Sequence, residues 1–405
     1  MKILQINCVY KSGSTGKIVD CIGQELRAIG HDVFTCYGNG RPNLDEYSEK
    51  VCTTAEHKFN AVWGRIVGIP FGGIYVSNLR IYNRIKTFHP DVVHIHCING
   101  YTVNVYKLLK YCARHHIKTV VTLHAEIFHT GGCAHAYDCD KWKEGCYDCA
   151  VYKKNGISWF FERSRTSWGK MYEAFNTFDT KDLTITAVSP WLKERAKLSG
   201  IMKRYNVVCV PNGLDTSVFY RRESANLIER NGYKKVILFV TPWFSHSNND
   251  LKGGRYLPVI AQALPDHLFI VVASRMAMEL NPMPANVQIW GRAKSQDELA
   301  QLYSEADLTL LLSHRETFSM VTAESLSCGT PVVGFKAGGP ESIALTAASN
   351  FVEYGSIDAL VGCIRNYECN TESEEISSKA HGLYGSNAMA HSYAKVYESL
   401  CNKCV

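Results

Sequence analysis

The chain has 405 residues, of which 46% are hydrophobic, and its 44 Lys and Arg against 38 Asp and Glu give a net charge of +6. A chain of this length exceeds a single ordinary core and predicts about two domains. The small positive charge suits an anionic substrate or membrane surface, but it falls short of the clustered charge of a nucleic-acid-binding protein.

The N-terminal segment MKILQINCVY lacks the features of a secretory signal, because its apolar residues alternate with Gln5 and Asn7 and no small-residue cleavage site follows. No stretch approaches the ~20 apolar residues of a membrane span. We therefore expect a cytoplasmic protein. In such a compartment the 16 cysteines favour thiols or metal ligands over disulfides.

Residues 2–9 predict a buried strand, and SGSTGK at 12–17 predicts a turn into a helix of about 16–29. The turn resembles a phosphate-binding loop, but that motif would need glycine at Lys11 and Ser or Thr at Ile18. Gly13 and Gly16 remain candidates for contact with a phosphate or an acceptor at the top of the strand. A plain strand-to-helix turn is the alternative.

Aromatic and basic residues are mixed in two segments, 41–90, which includes Trp63 and Arg65, and 151–178, which includes Trp159 and Phe160. Ordinary helix packing explains such mixtures. A surface that touches a membrane is the functional alternative.

Two further apolar runs, 91–98 and 117–124, predict buried strands that end in polar residues: His94, His96 and Asn99 after the first, His124 after the second. The carboxyl ends of parallel strands face the ligand crevice of an open sheet. His124 is therefore the best candidate on this part of the chain for contact with a reacting group, and a buried structural histidine is the alternative.

An insertion at 125–150 carries Cys133, Cys139, Cys146 and Cys149 in a C-x5-C-x6-C-x2-C spacing. We favour a structural zinc ion held by the four thiolates, although only the last pair has the gap of a zinc knuckle. Reduced cysteines or disulfides without metal, and an iron–sulfur cluster, remain alternatives. With all four positions taken by protein, such an ion would not be catalytic.

The apolar run at 308–312 predicts a buried strand, and the segment from His314 to Pro340 that follows it predicts a loop, a helix from about Ser319 and a second strand at 331–335. Glu316 falls in the loop and Glu324 near the start of the helix. Two carboxylates can accept the hydroxyls of a ribose and a hexose, while the helix N-terminus and the amides of Gly338 and Gly339 suit a diphosphate. The pattern therefore indicates a sugar nucleotide, although two solvated glutamates would have the same spacing.

The Glu316–Glu324 pair, followed by CGTPVV and GG, resembles the Glu-x7-Glu signature of retaining glycosyltransferase family 4. The cysteine insertion is similar to that of a subgroup in bacterial polysaccharide biosynthesis. The resemblance covers nearly the whole chain and implies the α/β GT-B fold, two Rossmann-like domains facing a cleft. By this likeness residues 1–210 form the acceptor side, 211–387 bind the nucleotide sugar, and a C-terminal helix at 388–405 packs back on the first domain.

The resemblance also implies roles for single residues. Glu324 would hold the ribose and Glu316 the transferred sugar, Lys252 beside Gly253 would clamp the phosphates, and His124 would touch the sugar.

The family's arginine about six residues before this lysine is missing from 241–251, so Arg292 or Arg275 would replace it. The family's Asp after the histidine is also missing, since Ala125 and Glu126 follow His124. The remaining donor contacts implied are Gly13, Gly16, Thr317, Phe318 and Ser319.

The activity implied is transfer of a hexose from a UDP or GDP sugar to a hydroxyl of a lipid-linked saccharide, without a catalytic metal and without nucleic acid. Capsule, O-antigen or exopolysaccharide synthesis would be its setting, with peripheral contact at the inner face of the cell membrane. Two rival functions are a sugar-nucleotide epimerase of the same fold and a zinc-dependent interaction protein with a vestigial sugar site.

Overall fold

The computed structural model describes residues 1–42, 44–74, 76–98, 100–154, 156–277 and 282–402, so the predicted polar residue Asn99 lies outside the described part. The chain divides into two compact units. Unit 1 contains Met1–Pro211 together with the C-terminal segment from Met389, and unit 2 contains Asn212–Ala388.

Unit 1 is built on a seven-stranded sheet in which every neighbouring pair is parallel. Its strands are β1 Lys2–Val9, β2 Asp32–Asn39, β3 Ser48–Lys50, β4 Val92–Ile95, β5 Thr119–Leu123, β6 Leu183–Ala187 and β7 Asn206–Cys209. They lie in the order β3-β2-β1-β4-β5-β6-β7. The central strands are buried on both faces, which explains why they are almost continuously apolar.

Helices connect and cover these strands. They are α1 Gly13–Ala28, α2 Thr54–Val67, α3 Val76–Phe88, α4 Val105–Arg114, α5 Ser164–Asn176 and α6 Pro190–Leu198. Helix α6 has a capped start, because the Ser189 hydroxyl accepts the Leu192 amide at 3.2 Å and Pro190 is the first helical residue.

Unit 2 repeats the plan with six parallel strands in the order β10-β9-β8-β11-β12-β13. The strands are β8 Lys235–Phe244, β9 His267–Met276, β10 Val287–Gly291, β11 Leu308–Leu311, β12 Val332–Phe335 and β13 Ser349–Val352. The helices are α7 Leu257–Ala263, α8 Gln296–Glu305, α9 Met320–Ser327, α10 Gly339–Ile343, α11 Ile357–Arg365 and α12 Ser373–Tyr384. Strands and helices meet in one apolar core around Phe239, Phe269 and Leu310.

The last helix, α13 Ser386–Cys401, belongs to unit 1 from Met389 onward. It buries Met389, Tyr393, Tyr397 and Leu400. The Tyr397 hydroxyl lies 2.7 Å from Nδ1 of His94 on β4, so this helix forms part of the core of unit 1.

Each sheet has one point where the strand order reverses: between β1 and β4 in unit 1 and between β8 and β11 in unit 2. The loops that leave such neighbouring strands in opposite directions open a crevice at the carboxyl edge, where open α/β sheets bind ligands. The predicted α/β class with two Rossmann-like parallel sheets is thus confirmed. None of the helices in the described ranges has the length and apolarity required to cross a membrane.

Candidate active site

In unit 2 the switch point brings Lys252 against Glu316. Lys252 lies in the loop after β8 and Glu316 in the loop after β11, and the two strands are neighbours. The Lys252 ammonium donates to Oε1 of Glu316 in a direct ion pair. The Ser313 hydroxyl donates to the same oxygen at 2.9 Å. A cation and a carboxylate therefore stand side by side, both partly exposed, at the ligand edge of the sheet.

The loop that carries Lys252 is held by one carboxylate and one close backbone approach. Asp250 accepts the amides of Lys252 and Gly254 at 3.0 and 3.1 Å. Gly253 has a φ of +74°, and a Cβ there would lie 2.1 Å from the carbonyl oxygen of Leu312 at the end of β11. Only glycine meets both requirements, so the glycine after Lys252 is what allows the two loops to touch.

Glu316 is fixed through its backbone as well. Its amide donates to the Ala337 carbonyl at 3.0 Å, and its carbonyl accepts the Gly339 amide at 2.9 Å. A Cβ on Gly339 would lie 2.5 Å from the Thr317 carbonyl carbon. The loop after β12 therefore fixes the backbone of Glu316 through these two hydrogen bonds.

The expectation that the Gly338–Gly339 turn presents open amides to a diphosphate is wrong. The carboxylate of Glu341 accepts the amides of Ala337 and Gly338 at 3.0 and 2.8 Å, and the Gly339 amide is bonded to Glu316. These donors are already used inside the protein. The amides at the start of α9 remain the candidates, because the first turn of a helix has no intrahelical acceptors.

The residues between the two glutamates form a constrained loop. Ser319 has φ 88° and ψ 93°, an unusual conformation for a residue other than glycine, and its hydroxyl accepts the Thr322 amide at 3.2 Å. Phe318 is buried against Tyr384, so its side chain is part of the core and is not available to a ligand. Thr317 keeps some exposure.

Glu324 lies in the second turn of α9 rather than near its start. Its Oε2 accepts a hydrogen bond of 3.1 Å from the hydroxyl of Tyr303, a fully buried residue of α8. Burial and the Glu324 carboxylate raise the pKa of Tyr303 well above its usual value, so the phenol stays a donor. Tyr303 therefore holds Glu324 in one orientation.

Arg292 follows β10, which lies two strands away from β8, whereas Arg275 is on β9, next to Trp243 of β8. Arg275 is thus on the strand adjacent to β8, and Arg292 follows a strand one position further out. The sequence alone does not distinguish the two arginines as candidates, whereas the strand order places them at different positions in the sheet.

In unit 1 His124 follows β5 and joins a stack of three histidines. Its Nε2 lies 3.3 Å from Nδ1 of His96, and the ring centroids of His96 and His94 are 3.7 Å apart. Burial lowers the pKa of His124 to about 4. Burial and the neighbouring rings also lower the pKa values of His94 and His96. All three rings are therefore neutral at pH 7, and His124 can act as a hydrogen-bonding group but not as a cation.

Glu126 does not take the place of the family's aspartate. It is fully buried; its Oε2 accepts the Ala136 amide at 2.8 Å and its Oε1 accepts from Arg195 Nε at 2.5 Å. Burial raises the pKa of Glu126, but His129 and Arg195 outweigh that effect and lower it to about 2. This carboxylate ties the cysteine-containing insertion to α6.

Gly13 and Gly16 begin α1 at the switch point of unit 1. Gly13 is exposed, with open space where a Cβ would stand, whereas Gly16 is buried against Val9 at the end of β1. Gly13 could admit a ligand, while Gly16 serves the packing of α1 on the sheet.

The four cysteines of the insertion lie in one neighbourhood as free thiols. Burial raises the pKa of Cys133 to about 12, and the other three sulfurs contribute to the same shift. Within the described ranges, no three His, Cys, Asp or Glu side chains are arranged to hold a metal ion. The thiols are grouped, but they do not converge on one point.

Sequence reasoning missed Asp250, Ser313, Tyr303 and Glu341. Glu341 stands three residues after Gly338, the spacing of a helix-capping box, and that pattern could have indicated it. Tyr303 lies 21 positions from Glu324, and no local pattern connects the two.

The chain matches two protein-family models and a full-length relative. A model described as Glycosyltransferase Family 4 matches residues 16–218, and one described as Glycosyl transferases group 1 matches residues 276–381. WcaC of Escherichia coli K12, provisionally assigned as a colanic acid biosynthesis glycosyl transferase, is 19% identical over 99% of this chain and 100% of its own.

Two solved structures share the fold over nearly the full length. Sucrose-phosphate synthase from Thermosynechococcus elongatus has a TM-score of 0.67 at 15% identity, over 98% of both chains. Anabaena HepE, crystallised with UDP and glucose, has a TM-score of 0.60 at 17% identity, over 98% of this chain and 100% of its own. These likenesses show the fold.

The contact of Gly253 with β11 leads to a stability prediction. Gly253→Ala should lower the free energy of unfolding in urea by roughly 2 kcal/mol or more, because it adds a steric clash to an unfavourable φ. Gly232→Ala is the matched control, since it has φ +79° with open space around its Cβ, and it should cost only about 1 kcal/mol. Equal losses in the two variants would show that the approach of Gly253 to Leu312 does not constrain the loop.

Proposed function

Because the chain belongs to glycosyltransferase family 4 and is therefore a glycosyltransferase, we propose that it transfers a hexose from a nucleoside diphosphate sugar to a hydroxyl of a lipid-linked saccharide, with retention of configuration. The observation that carries this proposal is the Lys252–Glu316 pair at the switch point of unit 2, with Glu324 on the helix that follows. A cation for phosphate and two carboxylates for sugar hydroxyls are the groups that such a donor requires.

Each part of the donor has a partner in this proposal. The ribose hydroxyls bind the Glu324 carboxylate, which Tyr303 orients. The diphosphate binds Lys252 and the first-turn amides of α9 beside Ser319. The transferred sugar binds Glu316. HepE, which shares the fold, was crystallised with UDP and glucose, and this supports a donor of the UDP-sugar type.

The reaction depends mainly on stabilisation of charge, and less on the formation of covalent bonds to the protein. The bond between the anomeric carbon and the donor phosphate breaks, the acceptor oxygen bonds to the same face of that carbon, and the acceptor proton passes to an oxygen of the departing diphosphate. Lys252 neutralises the negative charge that grows on the diphosphate. We propose no catalytic metal, since this ammonium supplies the required positive charge.

His124 is proposed to contact the reacting sugar from unit 1. Because its ring is neutral at pH 7, it would position a sugar hydroxyl through a hydrogen bond rather than through charge. The stack of His96 and His94 behind it and the bonds of His94 to Tyr397 and Thr122, both 2.7 Å, keep that ring in place.

The setting we propose is synthesis of a bacterial capsule, O-antigen or exopolysaccharide, at the cytoplasmic face of the cell membrane. The similarity to WcaC, named for colanic acid biosynthesis, supports a surface polysaccharide. A lipid-linked acceptor would bring the enzyme to that membrane.

We also propose that Cys133, Cys139, Cys146 and Cys149 hold one structural zinc ion. Their grouping within one neighbourhood supports it, and the thiols would have to converge and lose their protons on binding. The tie of this insertion to α6 through Glu126 and Arg195 would remain.

The donor proposal is tested by incubating the protein with UDP-, GDP- and dTDP-sugars and a saccharide acceptor while measuring nucleotide release. One class of donor should release nucleotide and glycosylate the acceptor. An epimerised sugar without transfer would instead favour an epimerase, and inertness toward every donor would favour an interaction protein.

Glu324→Gln should raise the KM for the active donor by roughly tenfold or more, because the lost contact holds the ribose in the ground and transition states alike. Glu353→Gln, an exposed glutamate of the same unit paired with Lys336, is the control and should leave KM unchanged. Wild-type donor affinity in Glu324→Gln would remove this residue from the donor site.

The zinc proposal predicts about one equivalent of zinc in purified protein by elemental analysis. Cys146→Ser should lose the ion, lower the melting temperature and impair acceptor use while donor binding survives; Cys363→Ser, outside the insertion, should retain the ion. Metal-free protein of full stability, or an iron-dependent absorption band, would contradict the assignment.

A further inference from the structure

Two cysteines lie side by side at the switch point of unit 1. Cys8 is near the end of β1, and Cys97 lies in the loop after β4, the neighbouring strand of the sheet. The Cys8 amide donates to the Cys97 carbonyl at 2.7 Å, so the two backbones are still hydrogen-bonded at this level. Paired residues of adjacent strands have Cα atoms about 5 Å apart, which is within the range that a disulfide bond spans.

The two thiols are also in contact, and both side chains are partly exposed. The Cys97 thiol donates a hydrogen bond to the sulfur of Cys8, and this bond lowers the pKa of Cys8, with smaller contributions from the amides of Cys8 and Val9. Partial burial acts in the opposite direction but does not outweigh the hydrogen bonds. A thiol of lowered pKa that solvent can reach is a good nucleophile, and a second thiol in contact with it can resolve the bond that it forms.

The backbone around the pair is fixed by Asn7. Its side-chain oxygen accepts the Cys97 amide at 3.0 Å, and its side-chain amide donates to the Val9 carbonyl at 2.7 Å. Gly100 packs closely on Cys8, since a Cβ on Gly100 would lie 3.1 Å from the Cβ of Cys8. The backbone is thus held in place, and only the two side chains have to rotate for their sulfur atoms to bond.

Three other cysteines of unit 1 lack this combination of contact, exposure and lowered pKa. Cys36 and Cys112 are fully buried, and burial raises the pKa of each thiol. Cys209, at the end of β7 in the same sheet, is partly exposed, but burial raises its pKa as well. A thiol of raised pKa is almost entirely protonated at pH 7 and therefore reacts slowly.

We propose that Cys8 and Cys97 are a reversible oxidation site, at which a low-molecular-weight disulfide of the glutathione type generates an intramolecular disulfide bond. The Cys8 thiolate attacks one sulfur of the small disulfide and displaces one small thiolate. The Cys97 thiolate then attacks the Cys8 sulfur of the mixed disulfide and displaces the second. The two departing thiolates take up the two protons that the cysteines lost, so two protein thiols are oxidised while one small disulfide is reduced.

The pair lies close to the proposed sugar contact. Cys97 lines a small cavity together with His124, Thr122 and Phe128. A bond to Cys8 moves the Cys97 side chain in this wall, and it joins the chain segments that leave β1 and β4 where the ligand crevice of the sheet opens. Oxidation should therefore hinder the contact of His124 with the sugar and lower transfer, an effect that rests on the proposed function.

The test is to equilibrate the reduced full-length protein with mixtures of reduced and oxidised glutathione, block the remaining thiols and map linked peptides by mass spectrometry. The peptides of Cys8 and Cys97 should become linked as the oxidised fraction rises, and dithiothreitol should separate them. Cys97→Ser should instead leave a glutathione mixed disulfide on Cys8, because the resolving thiol is gone. Cys209→Ser, which removes another partly exposed thiol of the same sheet, should form the bond as wild type does.

Two outcomes would overturn the oxidation site. One is wild-type protein in which Cys8 and Cys97 remain thiols under oxidised glutathione alone. The other is a mixed disulfide on Cys8 that accumulates equally in wild type and in Cys97→Ser, since Cys97 would then resolve nothing. Mapping of the wild type does not depend on the folding of any variant.

The effect on transfer is measured separately with the active donor. Oxidised wild type should lose most of its activity and regain it with dithiothreitol, whereas Cys8→Ser should keep its activity under both conditions. Full activity in protein that carries the Cys8–Cys97 bond would contradict the effect on transfer. Reduced protein that transfers no sugar from any donor would contradict the proposed function instead, and the peptide mapping would still decide the oxidation site.

Discussion

The contact between Lys252 and Glu316 is the constraint on which the site of unit 2 depends. It follows from strand order, because β8 and β11 are neighbours whose connections leave in opposite directions. Gly253 lets the loop of Lys252 rest on the Leu312 carbonyl, and Gly339 lets the loop after β12 support Glu316. Gly253, Gly339 and the reversal of strand order thus place Lys252 beside Glu316 at the carboxyl edge of the sheet. A ligand can bind at this edge because both side chains are partly exposed.

In unit 1 the carboxyl ends of β4 and β5 carry histidines. Behind His124 the unit stacks two further histidines, closed by tyrosines of α13. Burial keeps all three rings uncharged, so the histidine stack offers hydrogen bonds rather than charge. Unit 1 thus presents neutral hydrogen-bonding rings, whereas unit 2 presents the charged pair Lys252 and Glu316.

The sequence predicts the fold well, because parallel strands buried on both faces appear as short apolar runs such as Leu308–Leu312 and are easy to recognise. It also predicts that His124 and Glu316 lie at strand ends. The pairing of Lys252 with Glu316 could be expected only by family resemblance, since the two are 64 residues apart. The use of the Gly338 amide by Glu341 and the orientation of Glu324 by Tyr303 depend on tertiary contacts, and the sequence pattern alone predicted the first of these wrongly.

The most direct test of the central claim is a double-mutant cycle on Lys252→Ala and Glu316→Gln, measured as kcat with the active donor. If the pair acts as one unit on the departing diphosphate and its sugar, Lys252→Ala should lower kcat by about 10²-fold. The double variant should then be little worse than the poorer single variant. Full kcat in Lys252→Ala, or losses that multiply independently, would contradict the account.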